Sequence, residues 1–150
     1  MMFHRKRRRA ASLVEFALVG PLVLLIVIGL IVGGMGVYRY QQVATMAREG
    51  SRWASVHGAQ YARETGKPAA TADDVYNQEV VPRAAGMDAS KLSANVTWNT
   101  DNNPYHTVVS NGQVVPVANT VTVTVTYQWI PEAIFGGATL TSTSTTTMAY

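Results

Sequence analysis

Residues 5–30 read RKRRRAASLVEFALVGPLVLLIVIGL: five basic residues lead straight into an apolar run, with one carboxylate, Glu15, just inside its near end. From Phe16 to Tyr38 the only ionisable group is the Tyr38 phenol at the far edge. At about 1.5 Å per residue this run is long enough to cross a hydrocarbon core of roughly 30 Å. Secretory signal peptides have shorter apolar cores and end in a small-residue cleavage site. Here GVYRYQQ follows, with Tyr38 and Tyr40 bracketing Arg39, as in an interfacial aromatic belt with a snorkelling cation. The run therefore predicts a retained single-pass anchor whose basic end stays in the cytoplasm.

Charge placement supports that reading. The chain of 150 residues has a formal charge of +3. Arg5, Lys6, Arg7, Arg8 and Arg9, offset by Glu15, contribute +4, and everything from Arg39 onward sums to −1. A basic block beside an apolar run reads as a topology signal, a nuclear or nucleic-acid patch being the weaker alternative. Cysteine is absent, which excludes disulfides, thiolate metal sites and thiol nucleophiles.

Within the run, Pro21 predicts a kink or local unwinding. Gly29 and Gly33 form a G-x-x-x-G pair that would let a second helix approach closely; ordinary glycine content of a membrane helix is the alternative. The helical pattern continues past the lipid. Val43, Met46, Ala47, Gly50, Trp53, Ala54, His57 and Tyr61 recur at steps of three and four, with Arg48, Glu49 and Arg52 off the stripe. A helix continuous to about residue 62 is expected. Gly66 and Pro68 then break the pattern. Thr71 followed by Asp74 is a capping-box signature for a short helix over 72–85, with Val75, Val80 and Ala84 inward and Pro82 limiting it.

Beyond residue 88 the pattern turns to β, with antiparallel strands expected within 94–149. Asn111-Gly112 between two β-prone runs predicts a hairpin, whose second arm Pro116 demotes to an edge. NTVTVTVTYQW places Val121, Val123, Val125 and Tyr127 on one face and threonines on the other. The Thr-rich tail 139–150 suits an antiparallel edge partner, a disordered tail being its rival. The domain limits are a basic leader at 1–12, a transmembrane helix at 13–38, and an extracytoplasmic α+β domain at 39–150 that includes a helix at 39–63. The fold class is α+β, a long N-terminal helix packed on a small antiparallel sheet.

No constellation for catalysis stands out. His4, His57 and His106 lie far apart, His57 reading as a packed or domain-interface residue and His106 as an exposed strand-end residue. Asp73-Asp74 fits a helix start better than a metal or acid–base pair. The tryptophans, one per element, fit core packing better than a ligand cage. A non-enzymatic protein without cofactor, metal or small-molecule substrate is expected, with a membrane as partner and no nucleic acid.

The order of basic tail, small residues, LVEFALVGP, apolar run and then ATMAREGSRWA resembles the TadE-like family of tight-adherence (Flp-type) pilus assembly proteins, described as pseudopilins. The matching residues are Leu13 to Val19 with Pro21, then Ala47, Arg48, Glu49 and Arg52. The resemblance implies a pilin-like fold and a minor subunit of a type IV pilus serving adhesion or secretion, anchored in the bacterial inner membrane. Its partners would be other pilins and the assembly machinery. It also implies processing by a prepilin-type peptidase that leaves glutamate fifth and an aromatic residue sixth in the mature chain. Counting back from Glu15 and Phe16 places the cut between Ala10 and Ala11, where the family's usual residue before the cut is glycine.

Three readings of Glu15 follow. It pairs with Arg8 or Arg9 under the helix dipole; with Phe16 it is recognised by the peptidase; or, in a filament, it neutralises the α-amine of Ala11 on a neighbouring subunit, where a low-dielectric setting raises the cost of an unpaired charge. The contrasting reading of the whole chain is a single-pass anchored binding module that never enters a filament.

Overall fold

The alternating valines of residues 120–129 form the central strand of the fold, and the rest of the domain is arranged around their buried row. A computed structural model describes residues 4–131 and 136–150, with side chains from Ser12 onward. The chain divides into two units, one ending at Val37 and the other Tyr38–Tyr150. One helix, α1, spans His4–Val56 and contains Pro21 without interruption of its helical backbone. In the first unit its apolar side chains are exposed all round: Phe16 is 76% and Leu18 79% accessible. A helix that is apolar on every face and unburied among the described residues is long and apolar enough to cross a membrane.

In the second unit the helical stripe is satisfied by protein. Val43, Met46, Ala47 and Ala54 of α1 are buried in one cluster with Val121, Val123, Val125 and Tyr127 of strand β4 (Thr120–Trp129). β4 lies between β1 (Leu92–Trp98) and β5 (Ala138–Thr147), antiparallel to both, in the order β1-β4-β5. The Thr-rich segment is therefore an ordered edge strand. On the outer face Thr122, Thr124 and Thr126 pair through their hydroxyls with Thr145, Thr143 and Thr141 at 2.9, 2.9 and 3.2 Å. These cross-strand pairs let a charge-free face meet water.

The capping box forms as the sequence predicts. Thr71 caps α3 (Ala72–Val75), accepting from the Asp74 backbone while the Asp74 carboxylate accepts from the Thr71 N–H at 2.9 Å. The segment then loosens into a π turn, Tyr76–Val80, and tightens into a 3-10 turn, Val81–Arg83. Pro82 has no N–H to continue an α-helical ladder, which accounts for the change. Val75 and Val80 are fully buried, and Tyr76 and Ala84 lie against the core. β2 (Tyr105–Ser110) and β3 (Gln113–Ala118) form a separate two-stranded sheet. Its turn residues have φ of 51° at Asn111 and 77° at Gly112, the left-handed conformations that a two-residue hairpin turn requires.

The expected continuous helix to residue 62 is not found. α1 stops at Val56, and a separate α2 covers Ala59–Thr65. The cause is a three-way backbone junction at residues 57–59. Gly58 N–H donates to the Tyr150 carbonyl (3.1 Å), Ala59 N–H to that of Asn102 (2.8 Å), and the His57 carbonyl accepts from Ala70 N–H (2.8 Å). A Cβ on Gly58 would stand 2.2 Å from the Tyr150 oxygen and 2.4 Å from that of Asn102. Since both obstacles are backbone, Gly58→Ala is expected to cost about 3 kcal/mol and lower Tm by at least about 10 °C. Thermal unfolding of the full chain in detergent micelles, followed by tryptophan fluorescence, checks this.

Candidate functional site

The site residues expected from sequence lie mainly along the first unit of α1. Ala10 and Ala11 fall on its helical backbone; their side chains, with those of the basic residues 5–9, lie outside the described residues, as does the expected Glu15 pairing with Arg8 or Arg9. Glu15, Phe16, Pro21, Gly29 and Gly33 are exposed apart from local contacts. The Phe16 ring lies over Gly20, one turn on, where an added Cβ would meet the ring at 3.8 Å. At Gly29 and Gly33 an added Cβ would meet nothing within 4 Å, so both present bare backbone to the surroundings.

The helical repeat sorts these residues into faces. At about 100° per residue, Glu15 and Gly33 fall on one line and Gly29 about 40° from it, while Phe16 and Pro21 point about 100° and 120° away to either side. Glu15 and Gly29 are separated by about 21 Å along the helix. The geometry is a linear stripe with a carboxylate at one end and small residues at the other, suited to contact with another helix rather than to enclosing a substrate.

The second unit has its own polar centres. At its start Arg39 Nη1 donates to Gln42 Oε1 (2.9 Å) and to the Ala85 carbonyl (3.3 Å), and Gln42 Nε2 donates to the same carbonyl (3.2 Å). Arg39, expected to snorkel, is here bonded to the loop after the 3-10 turn. A groove of about 420 Å³ is lined by Trp53, His57, Tyr61, Lys67, Asp74 and Gln78, among others. His57 is stacked on Trp53 at 4.1 Å and tilted against Tyr61 at 4.7 Å, while its Nδ1–H donates to the Trp53 carbonyl at 2.8 Å. The packed reading of His57 holds. Asp74 is engaged by the cap, and the backbone and hydroxyl of Thr71 hold its carboxyl below the ordinary range. Among the described residues no group of three His, Asp or Glu could hold a metal.

His106 is not the exposed strand-end residue expected. It is half-buried, and its Nδ1–H donates to Oδ1 of the fully buried Asn119 at 2.6 Å. Asn119 Nδ2 donates in turn to Asp101 Oδ1 (2.7 Å) and the Asn103 carbonyl (2.8 Å), while its backbone receives Met148 N–H and reaches the Pro104 carbonyl. Sequence reasoning missed Asn119 because a lone asparagine before a strand looks like turn chemistry; only its five bonds reveal a hub. Hydrogen bonds from the Asn103 side chain and backbone, with His106 and Asn119, hold the Asp101 carboxyl below its usual range, and those from Ser90 do the same for Asp88.

Residues 10–52 match the family model described as TadE-like protein. The expected resemblance is thus shown for the segment that contains Glu15, the glycine pair and α1 as far as Arg52. No curated protein and no solved structure matches the chain.

Two outcomes follow. Asn119→Leu strands the buried ends of its partners and is expected to cost about 2–3 kcal/mol, read as a lowered midpoint in urea. The carboxyls of Asp74, Asp88 and Asp101 titrate lower in the folded chain than in the unfolded one. Their stabilisation is complete above the unfolded value near 4 and is lost as pH falls through the folded values. Tm should hold above about pH 5 and fall below about pH 4, and Asp101→Asn should make that fall shallower; a pH series of thermal scans checks both.

Proposed function

We propose that the chain is a membrane-anchored pseudopilin, a minor subunit in assembly of a tight-adherence (Flp-type) pilus. Its basic end would be cytoplasmic, its second unit extracytoplasmic and its span in the bacterial inner membrane. The observation that carries this reading is the exposed Glu15–Gly29–Gly33 stripe within the segment matching the TadE-like family. A carboxylate among apolar side chains is costly without a partner, and bare glycine backbone supplies a surface for close helix contact.

In this reading a prepilin-type peptidase cuts between Ala10 and Ala11, removing the basic leader and creating an α-amine four residues before Glu15. Within one chain that amine precedes Glu15 by about one helical turn. In an assembly the carboxylate of one subunit is free to neutralise the amine of its neighbour, which gives axial register a charge-pair cost for error. The groove beside Trp53 adds little to the binding-module reading, because His57 Nδ1 and Asp74 Oδ2 are engaged by their own chain.

The test is the N-terminal mass of the protein from cells with and without the peptidase, together with pilus output. A mature start at Ala11 only where the peptidase is present is expected. Glu15→Ala and Glu15→Gln should reduce surface pili at least about tenfold, the loss of roughly 1.4 kcal/mol or more per contact, while membrane insertion persists. A retained leader in piliated cells would overturn the processing step, and undiminished pili in both variants would overturn the assembly role.

A further inference from the structure

The 49 residues after Asp101 contain one charged side chain, Glu132, whereas the first 101 contain 20. Four of the five strands lie in that stretch. Two features within it are left open. The first is the outer edge of β5. This strand pairs with β4 without a bulge from Ala138 to Thr147, has no lysine, proline or acid, and ends the sheet order. Proteins normally blunt such an edge with charge, proline, a bulge or a covering element. Among the described residues no strand pairs with its outer side.

The second is the β2–β3 hairpin. Two strands alone are marginal in water, yet one face of this pair presents Tyr105, Val109 and Val114 at 64%, 75% and 67% exposure. Its hydrogen-bond parity can be derived. The two-residue turn makes Ser110 and Gln113 the bonded pair, so bonding recurs at Val108↔Val115 and His106↔Val117. The backbone groups of Tyr105, Thr107 and Val109 then point away from β3. The outward position of β3 opposite Thr107 is Pro116, which has no N–H to offer. The outer edge of β3 is thus partly blocked, while among the described residues no strand pairs with that of β2.

We propose that β2 of one copy of this chain adds to the outer edge of β5 of a second copy. Donor and acceptor edges lie on the same molecule but differ, so the contact between two copies is head-to-tail rather than a closed two-fold dimer. The charge-free composition of both edges removes the desolvation cost that a lysine-guarded edge would impose. The contact deepens the assembly reading by supplying a domain-to-domain junction, and it requires neither peptidase cleavage nor Glu15.

The absence of native cysteine makes the test direct. Full-length chains carrying Val109→Cys are mixed in detergent micelles with chains carrying one cysteine at successive positions from Thr139 to Thr147, and oxidised. Disulfides are expected at alternate β5 positions, at least about tenfold above the positions between, because strand side chains alternate faces. Thr107→Pro removes an outward donor without an internal hairpin bond and should abolish the pattern with the circular dichroism spectrum unchanged; Tyr105→Lys is a second block acting through the side chain. Cross-links without alternation, dominant Val109→Cys homodimers, or full cross-linking in both blocked variants would overturn the contact. Glu15→Ala chains should keep the alternating pattern, so loss of pili in that variant bears on the assembly role and leaves this contact standing.

Discussion

The second unit depends on how closely α1 approaches its sheet at Gly50 and Ser51. A Cβ at Gly50 would stand 3.3 Å from Val123 Cγ1 and 3.4 Å from Val75 Cγ1, so the missing side chain allows one helical turn to touch both the central strand and α3. The next residue, Ser51, is fully buried and shares hydrogen bonds of 2.9 Å with the hydroxyls of Ser144 and Thr146 on β5. One turn of helix thereby contacts β4, β5 and α3. It also explains the composition of β5: at so short a spacing its inward row is better filled by small hydroxyl side chains that pair with Ser51 than by valines.

The same economy of space ends the helix. At Gly58 the chain comes within hydrogen-bonding distance of the C-terminal backbone and of the loop that precedes β2. Backbone donors and acceptors, once buried, must be paired. The junction meets that demand by sharing residues 57–59 among Tyr150, Asn102 and Ala70. Ser55 adds to it, its carbonyl accepting from both Ala149 and Tyr150. Asn119 serves the neighbouring loop in the same way through its side chain. The edges of the sheet are thus fixed by polar bonds at one end, while its middle is fixed by valine burial.

The features legible in the sequence are those whose cause is local. The period-two valines of 121–125, the left-handed pair Asn111-Gly112 and the Thr71–Asp74 box each contain their own explanation, and the apolar run needs only its length. The features that were not legible have causes distant in sequence. The helical pattern runs straight through Gly58 until Tyr150 is placed against it, and Ser51 and Ser55 gain their partners only when β5 and the C-terminal residues arrive. His106 looks exposed until Asn119 turns toward it. The candidate site divides in the same way. The spacing of Glu15, Gly29 and Gly33 follows from the helical repeat, whereas whatever satisfies them belongs to no residue of this chain that the structure describes.

The two sets of exposed apolar side chains call for different solvents, which bears on what the chain must meet. Leu13 to Val37 are exposed on every face of a helix whose backbone bonds are internal, the condition under which hydrocarbon is an adequate surrounding. Tyr105, Val109 and Val114 sit on a hairpin with an open backbone edge, and lipid cannot satisfy free N–H and C=O groups. Water satisfies those groups but leaves the valines exposed. An extended backbone laid along that edge satisfies the same groups in the plane of the sheet, so the surrounding that suits α1 does not suit the hairpin.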